Sequence, residues 1–269
     1  MDRTPHKIDG PLEPVLAENT SIKIIGLGGV GGIIARYLSI FLASLNLSLR
    51  LVLIDGDSFE PANTNRMLFA EYGNKAAVIR AELLPRFTDS YLSLIAVPEF
   101  VAAPNIARLI LNGDIVMLAV DNHATRKLVS DFCRTGLEDV SLISGGNDGI
   151  EQTAINRSTR GTYGNCQIYL RRGGKDLSPA LTRYHPEIRE PADRNPVDKS
   201  CTELVQSVPQ ILFANLAAAS AMLNAFWLYC CDALHYSELA FDIADGLMRP
   251  MPLPAPALRF SSQNAAEPG

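Results

Sequence analysis

The first part of the chain alternates continuous apolar runs with segments whose apolar residues recur at helical spacing. Residues 21–29 form a β-branched run that ends in glycines, which predicts a strand followed by a tight turn. From Val30 to Leu45 the apolar residues fall on one face of a helix. Residues 49–57 are apolar until they end in acidic residues, a pattern typical of a strand that is covered on both faces.

The same alternation continues as far as residue 146. The pattern predicts helices over 73–84, 104–112 and 123–136, and strands over 93–100, 114–120 and 140–146. Strands and helices that alternate in this way form parallel sheets with right-handed connections. We therefore predict an α/β fold with a Rossmann-like, mostly parallel sheet and flanking helices.

The polarity of the chain changes after residue 146, and this change defines the predicted organisation. Residues 147–202 are rich in Gly, Arg, Asn, Pro and Asp, which predicts a polar crossover loop with one strand at 166–171. A second strand, at 237–243, is predicted to lie at the sheet edge. The predicted regions are an N-terminal arm over 1–20, an α/β core over 21–146, the crossover loop over 147–202, a C-terminal helix and edge strand over 203–260, and a frayed tail over 261–269.

One apolar segment, residues 211–231, carries no charged residue and is long enough to cross a bilayer. Asn215, Ser220 and Asn224 interrupt it, and no basic residues anchor its ends. The segment therefore predicts a buried helix that packs on the sheet, and we expect no membrane association.

Composition and charge exclude several classes of protein. Apolar residues make up 47% of the 269 residues, which is enough for a large core and excludes global disorder. The formal net charge is −5 and no Lys/Arg block occurs, so nucleic-acid binding through bulk charge is not expected. Five cysteines are an odd and sparse set, and the N-terminus lacks the apolar run of a secretory signal. We therefore expect a reducing, cytoplasmic location.

The loop between the first predicted strand and helix has the chemistry of a nucleotide site. Gly26, Gly28, Gly29 and Gly31 would let a nucleotide approach the backbone, and the free N–H groups at the helix start favour negative charge. Asp55 ends the second predicted strand, where an acidic residue can bind ribose hydroxyls. Tight strand–helix packing alone would also explain the glycines, and an NAD-dependent oxidoreductase fits these features as well.

The run after the second strand favours a different class of enzyme. It reads D-G-D-S-F-E-P-A-N-T-N-R over residues 55–66, and it is followed by G-N-K-A-A-V over 73–78 and A-V-D-N-H-A-T-R over 119–126. With the glycine loop, these motifs resemble the ubiquitin-activating, MoeB and ThiF superfamily of adenylating enzymes, which carries D-x-D-x-V-x-x-S-N-L-N-R and T-D-N-x-x-x-R.

The resemblance is close over residues 21–146 and looser afterwards. The sequence departs from the family pattern at Phe59, Ala62, Thr64 and Val120, and its Gly–Lys motif is one residue shorter. From Cys201 onward it resembles the ThiF proteins of bacterial PRTRC-type gene clusters.

The resemblance implies adenylation of a carboxylate, with ATP and Mg²⁺ as cofactors. A carboxylate is a poor electrophile because its leaving group would be oxide. Its transfer to the α-phosphorus of ATP gives an acyl-adenylate, whose leaving group is AMP. The barrier comes from bringing an anion to a polyanion, so cationic groups are expected around the phosphates.

The resemblance also assigns roles to individual residues. It implies that Asp55 holds the ribose, that Asn63 and Arg66 contact the phosphates, that Lys75 lies near the α-phosphate and that Asp121 binds Mg²⁺. The implied nucleotide-binding set is Gly26, Gly28, Gly29, Gly31, Asp55, Asp57, Asn63, Asn65, Arg66, Lys75 and Asn122.

Each assignment has a simpler structural alternative. Arg66 could form a surface ion pair, Lys75 could lie on a solvated helix face, and Asp121 could cap the following helix. Asp57 fits a turn-forming role as well as a ligand role. In related enzymes an arginine from the partner's N-terminal region reaches ATP, and Arg3 is the one arginine in the arm.

Cys201 is the candidate nucleophile because it lies where the crossover meets the long helix. In many relatives a cysteine there takes the acyl group as a thioester, and a helix N-terminus favours the thiolate. An ordinary cysteine without a role is the alternative. We expect Cys133, Cys230 and Cys231 to be structural, with Cys166 a weaker catalytic candidate. The sequence has no C-x-x-C pair, so no structural zinc is expected.

We therefore predict an ATP-dependent activating enzyme. It would adenylate the C-terminal glycine of a ubiquitin-like or sulfur-carrier protein, form a thioester on Cys201, and pass the carrier to a conjugating-enzyme-like acceptor. Family members are usually homodimers. The alternatives are sulfur-carrier activation without a thioester, an NAD-dependent oxidoreductase, and a non-catalytic subunit that binds a carrier. The acidic pI of about 5.4 disfavours a tRNA-modifying relative.

Overall fold

Five parallel strands form the centre of a nine-stranded sheet in this computed structural model, which describes residues 10–64, 67–152, 158–198 and 210–253. The strands are β1 Ser21–Ile25, β2 Leu49–Ile54, β3 Ser58–Phe59, β4 Gly73–Asn74, β5 Leu92–Val97, β6 Ile115–Leu118, β7 Val140–Asn147, β8 Ile150–Gln152, β9 Ser158–Arg160, β10 Tyr163–Arg172, β11 Lys175–Asp176, β12 Tyr236–Asp242 and β13 Leu247–Pro252. The helices are α1 Gly29–Ser44, α2 Lys75–Leu83, α3 Ile106–Leu109, α4 His123–Thr135, α5 Pro186–Arg189 and α6 Leu212–Cys230.

The strand order places a topological switch point beside the first strand. The central sheet runs β13-β12-β10-β7-β6-β1-β2-β5, with β11 paired to β10. β5, β2, β1, β6 and β7 are parallel, and β10, β12 and β13 continue the sheet in antiparallel register. From β1 the chain moves first to β2 and β5, then returns to the other side of β1. A crevice opens at the carboxyl ends of β1 and β6 in such a fold, and this is where α/β proteins bind ligands.

Helices cover both faces of the sheet, as the continuous apolar strands predict. Alternate residues along one strand face opposite cores, so Ile24 packs with one hydrophobic cluster and Ile25 with the other. The first cluster takes in α1, α2 and α6, and the second takes in α3, α4 and α5. The predicted α/β, Rossmann-like fold with flanking helices is therefore confirmed.

The C-terminal part of the sheet corrects one prediction. The strand predicted at 237–243 is β12, but it lies between β10 and β13 and is not the edge. β13 forms that edge and contains Pro250 and Pro252, which suit an edge because proline cannot donate a ladder hydrogen bond. The edge prediction for 237–243 was wrong because a further strand, rich in proline, pairs with β12 on its outer side.

Two smaller differences concern the bounds of predicted elements. Residues 73–74 form strand β4 rather than the start of a helix, and α2 begins at Lys75 because the Asn74 side chain accepts a hydrogen bond from the N–H of Ala77. The strand predicted at 166–171 extends over Tyr163–Arg172 and lies within the central sheet. The polar segment at 147–202 is therefore not a loop throughout.

Among the described residues, α6 is the one helix with the length and hydropathy to cross a membrane. In the most apolar 18 residues of α6, 44% are buried. It packs against α1, β7 and β10, as the prediction of a helix on the sheet requires.

Candidate functional site

The ends of three central strands meet at the switch point of the sheet. The glycine loop follows β1, Asp55 follows β2 and Asp121 follows β6. Because the carboxyl ends of parallel strands meet at one edge, residues distant in sequence converge here.

Close backbone packing requires glycine at two loop positions. Gly26 has a φ of +86°, and a Cβ atom on it would lie 2.9 Å from the backbone of Ala119. A Cβ on Gly31 would lie 1.8 Å from the carbonyl oxygen of Gly26. α1 begins directly after Gly28, whose position provides no side-chain cap, so its first N–H groups can face a ligand.

Asp55 fixes the glycine loop from the neighbouring strand. Its buried carboxylate accepts hydrogen bonds from the N–H of Leu27 (2.6 Å) and the N–H of Asp57 (2.8 Å). Burial raises the pKa of Asp55, and the charge of Lys75 and these two hydrogen bonds oppose that shift. Asp55 therefore stabilises the conformation of the glycine loop. Its role in binding the ribose stays a prediction.

Lys75 is held at the site by Asp57. Lys75 is 7% exposed, and its Nζ lies 2.5 Å from Oδ2 of Asp57, whose side chain is 54% exposed. Asn74 stabilises this arrangement because its amide donates to the backbone oxygens of Asp55 (2.9 Å) and Asp57 (3.1 Å). The solvated helix face considered for Lys75 is excluded. Asp57 does take part in a turn, accepting from the N–H of Ser58.

The motif after β3 is described only in part. Asn63 ends a short 3-10 helix over Pro61–Asn63 and exchanges capping hydrogen bonds with Glu60. Asn65 and Arg66 lie outside the described residues, so their predicted phosphate contacts stay predictions.

The segment between β6 and α4 presents Asp121 to solvent. Asn122, not Asp121, caps α4, because its Oδ1 accepts from the N–H of Thr125 at 2.8 Å. Asn122 is buried. Its predicted contact with the nucleotide stays a prediction. The guanidinium of Arg126 holds the segment in place because it donates hydrogen bonds to the backbone oxygens of Val120 and Gly145. Burial lowers the pKa of Arg126, while Asp121 and Asp193 oppose the shift.

The polar segment before Cys201 is tied to the start of α4. The Asp193 carboxylate accepts from the N–H of His123 (2.7 Å) and of Ala124 (2.8 Å). Asn195 is buried and donates to Thr125 Oγ1 and to the carbonyl of Val101. An acidic side chain at a helix N-terminus is stabilised by the helix dipole. These contacts hold the chain at the carboxyl edge of the sheet shortly before Cys201.

His185 joins the same segment to the antiparallel strands. Its Nδ1 lies 2.8 Å from Glu187 Oε1 and its Nε2 lies 3.0 Å from the buried Glu238 Oε1. The hydrogen bond to Glu238 is the largest cause that raises the pKa of His185. The pKa of nearby His123 is lowered, mainly by burial and then by the charge of Arg126.

These two histidines predict a pH optimum of stability near the ordinary histidine pKa. Because the folded pKa of His185 lies above 6.5, its contribution is complete below pH 6.5 and is lost as the pH rises through the folded value. The folded pKa of His123 lies below 6.5, so the folded protein loses stability as the pH falls below 6.5 through that value. We expect urea unfolding to show a decline in stability above pH 6.5 that is reduced in His185→Gln. An equal decline in both proteins would contradict the assignment.

The described cysteines are poor nucleophiles in this setting. Burial raises the pKa of Cys133 and of Cys230 to about 12 and raises the pKa of Cys166 further. Cys133, Cys166 and Cys230 are buried, and Cys231 is partly buried. Cys201 lies outside the described residues, as does Arg3.

Four positioning residues were not singled out by sequence reasoning: Asn74, Arg126, Asp193 and Asn195. Arg126 was quoted within a motif without a role. Asn74 precedes a helix and is a preferred capping type, so local sequence could have found it. Asp193 and Asn195 act on residues 70 positions away, and no local pattern signals such contacts.

The fold and site define a class: a doubly wound α/β protein with a glycine loop and acidic strand ends at the switch point, the arrangement that binds nucleotides in such folds. The ThiF family model matches residues 15–231. The chain belongs to the ThiF family.

Two curated relatives match part of the chain. The chain is 36% identical over 118 residues to the adenylyltransferase and sulfurtransferase MOCS3 of Dictyostelium discoideum, covering 43% of this chain and 26% of that protein. It is 31% identical over 134 residues to MOCS3-1 of Zea mays, covering 49% of this chain and 27% of that protein. The matched region is thus about a quarter of each relative's length.

Solved structures show the same fold at low identity. The Escherichia coli MccB structure with ATP has a TM-score of 0.59 at 17% identity and covers 88% of this chain and 64% of that one. The microcin C7 biosynthetic enzyme MccB in complex with N-formylated MccA has a TM-score of 0.61 at 17% identity, covering 87% and 65%. At this identity the likeness concerns the fold.

Proposed function

We propose that this protein is an ATP-dependent adenylyltransferase that activates the C-terminal carboxylate of a small carrier protein. The ion pair of the buried Lys75 with the half-exposed Asp57 at the switch point is the observation that carries the proposal. It keeps a cation beside Asp55, whose carboxylate binds the N–H of Leu27 in the glycine loop, where a nucleotide's phosphates would bind. The MOCS3 relatives are named adenylyltransferases, which supports the same activity.

The reaction needs charge neutralisation more than covalent catalysis. A carboxylate oxygen of the carrier attacks the α-phosphorus of ATP, a new P–O bond forms, and the bond to pyrophosphate breaks. Lys75 would release Asp57 and pair with the α-phosphate, and Arg66 and Asn63 would contact the other phosphate oxygens. Such preorganised charges lower the barrier because they are in place before the reaction. Asp55 would hold the ribose, with Asp57, Asn65 and Asn122 completing the pocket.

The described residues fit a magnesium ion that arrives with the nucleotide. Mg²⁺ usually keeps several waters and binds one or two carboxylates together with substrate phosphates. Asp121 offers an exposed carboxylate at the end of β6, and no cluster of three or more His, Cys, Asp or Glu occurs in the described ranges. When bound, Mg²⁺ would neutralise phosphate charge. Asp121 and the substrate would hold it together.

We propose further that Cys201 accepts the carrier from the adenylate as a thioester. The thiolate sulfur attacks the acyl carbon, the C–S bond forms, and AMP leaves. The described chain stops at Asp198, shortly after Asp193 binds the start of α4, and resumes at Gln210 before α6. The start of α6 packs on the glycine loop, so both flanks of Cys201 lie at the nucleotide edge. A conjugating-enzyme-like acceptor would then take the acyl group.

A homodimer would complete this proposal. The outward sides of α1 and α6 carry the exposed apolar residues Tyr37, Ile40, Phe213 and Leu216. Exposed apolar residues on two helices that pack together suit contact with a second copy of the chain, and the partner's Arg3 could then reach ATP. Sedimentation equilibrium measures this state directly; a monomer at all concentrations would exclude it.

Replacement of Lys75 tests the proposed chemistry. We expect Lys75→Ala to lower carrier-dependent ATP–pyrophosphate exchange by about 100-fold, because a preorganised cation at the reacting phosphorus is lost. Lys127→Ala is the matched control: it removes a lysine that pairs with Asp131 on the surface of α4. Equal exchange rates in Lys75→Ala and wild type would contradict the role of Lys75.

A further inference from the structure

The side chain of Asn215 is buried without a hydrogen-bond partner in the described part of the chain. Asn215 lies in the first turn of α6 and is 0% exposed, and neither its Oδ1 nor its Nδ2 has a partner among these residues. A buried amide normally has partners because leaving it unpaired costs free energy. Such a group is available for a hydrogen bond to a ligand at this position.

The amide of Asn215 is directed at the first residue of α1. A Cβ atom built on Gly29 would lie 2.2 Å from Asn215 Nδ2 and 3.0 Å from Asn215 Cγ. Gly29 therefore has to be glycine for a second reason, which is the approach of a side chain from α6. The amide reaches the amino end of a 16-residue helix that has no side-chain cap. This end attracts anions through its free N–H groups and the helix dipole.

We infer that Asn215 is a nucleotide-binding residue whose Nδ2 donates a hydrogen bond to a phosphate oxygen at the amino end of α1. The inference rests on the proposed ATP-dependent function and adds a donor from α6, outside the sequence motifs. The same contact would couple nucleotide binding to the crossover segment, because α6 continues directly from the residues that follow Cys201.

The test compares the affinities of Asn215→Asp and Asn215→Ala for Mg·ATP by calorimetric titration. The affinity of each variant for adenosine, which has no phosphate, is measured by competition. Both variants remove the donor, and Asn215→Asp adds a negative charge. We expect each to weaken Mg·ATP binding about tenfold or more, the aspartate more strongly, with adenosine binding unchanged. Asn224→Asp is the matched control, because it makes the same change at an exposed position of α6.

Thermal unfolding without nucleotide provides a second readout. An aspartate that faces the amino end of α1 can accept hydrogen bonds from its free N–H groups. The unfolding temperature of Asn215→Asp should therefore be at least that of Asn215→Ala, although Asn215→Asp binds ATP more weakly. Weaker binding of adenosine and ATP alike would indicate a packing role and overturn the inference. Wild-type affinity in both variants would also overturn it, leaving the proposed function intact. Failure of the wild type to bind Mg·ATP would instead overturn the proposed function.

Discussion

Asp121→Asn should abolish magnesium-dependent adenylation while leaving the fold intact. Asp121 is exposed at the end of β6, and the helix after it is capped by Asn122, so its carboxylate does not cap the helix. Its charge does act on the buried Arg126, which Asp193 also supports. Asparagine keeps the size of the side chain but removes the negative charge that a hard cation requires. We expect carrier-dependent pyrophosphate exchange to fall about 100-fold or more.

The control for Asp121→Asn is the same change at Asp131 on α4. Asp131 pairs with Lys127 on the helix surface, and an exposed pair of this kind contributes little to stability. Asp131→Asn should therefore match the wild type in exchange and in thermal unfolding. Full exchange in Asp121→Asn would remove the metal role of Asp121. A loss of folding in that variant would show that Asp121 is structural.

Cys201→Ala should separate the two halves of the proposed reaction. Adenylation precedes the thiol step, so the variant should still exchange pyrophosphate into ATP in the presence of a carrier. It should form no covalent adduct with the carrier that a thiol reagent can cleave. Gel analysis under reducing and non-reducing conditions measures the adduct directly.

Cys231→Ala is the matched control because Cys231 is partly buried at the end of α6, far along the helix from its amino end. It should form as much adduct as the wild type. An adduct that persists in Cys201→Ala would assign the thioester to another cysteine. If neither the wild type nor the control forms an adduct while exchange continues, the protein would activate its carrier without a thioester, as in the sulfur-carrier alternative.

The centre of the fold was predictable because its strands are buried on both faces. Continuous apolar runs that end in Gly26 and Asp55 mark the carboxyl ends of β1 and β2, and helical spacing marks α1 between them. These are local patterns, so the order of the central strands and their helices up to β7 followed from the sequence, whereas the short strands β3 and β4 did not. The position of β13 did not, because a strand rich in proline is accepted only at an edge, and sheet order depends on distant partners.

The candidate site was predictable as a set of residue types but not as a set of contacts. Asp57 and Lys75 were identified in two separate motifs, and the structure shows that they form an ion pair. The motif containing Asp121 did not reveal that Asn122 caps the helix or that Asp193 also binds its first N–H groups. Contacts between residues distant in sequence depend on the packing of the crossover segment against α4. Local sequence carries no signal for that packing.

Calorimetric titration of the wild type and Arg66→Ala with Mg·ATP, and separately with NAD⁺, tests the central claim most directly. The glycine loop and Asp55 are compatible with either nucleotide, whereas Arg66 belongs to the motif that distinguishes the adenylating family. We predict that the wild type binds Mg·ATP, that Arg66→Ala binds it more weakly, and that neither binds NAD⁺. Binding of NAD⁺ without binding of Mg·ATP would contradict the account and assign the crevice to redox chemistry.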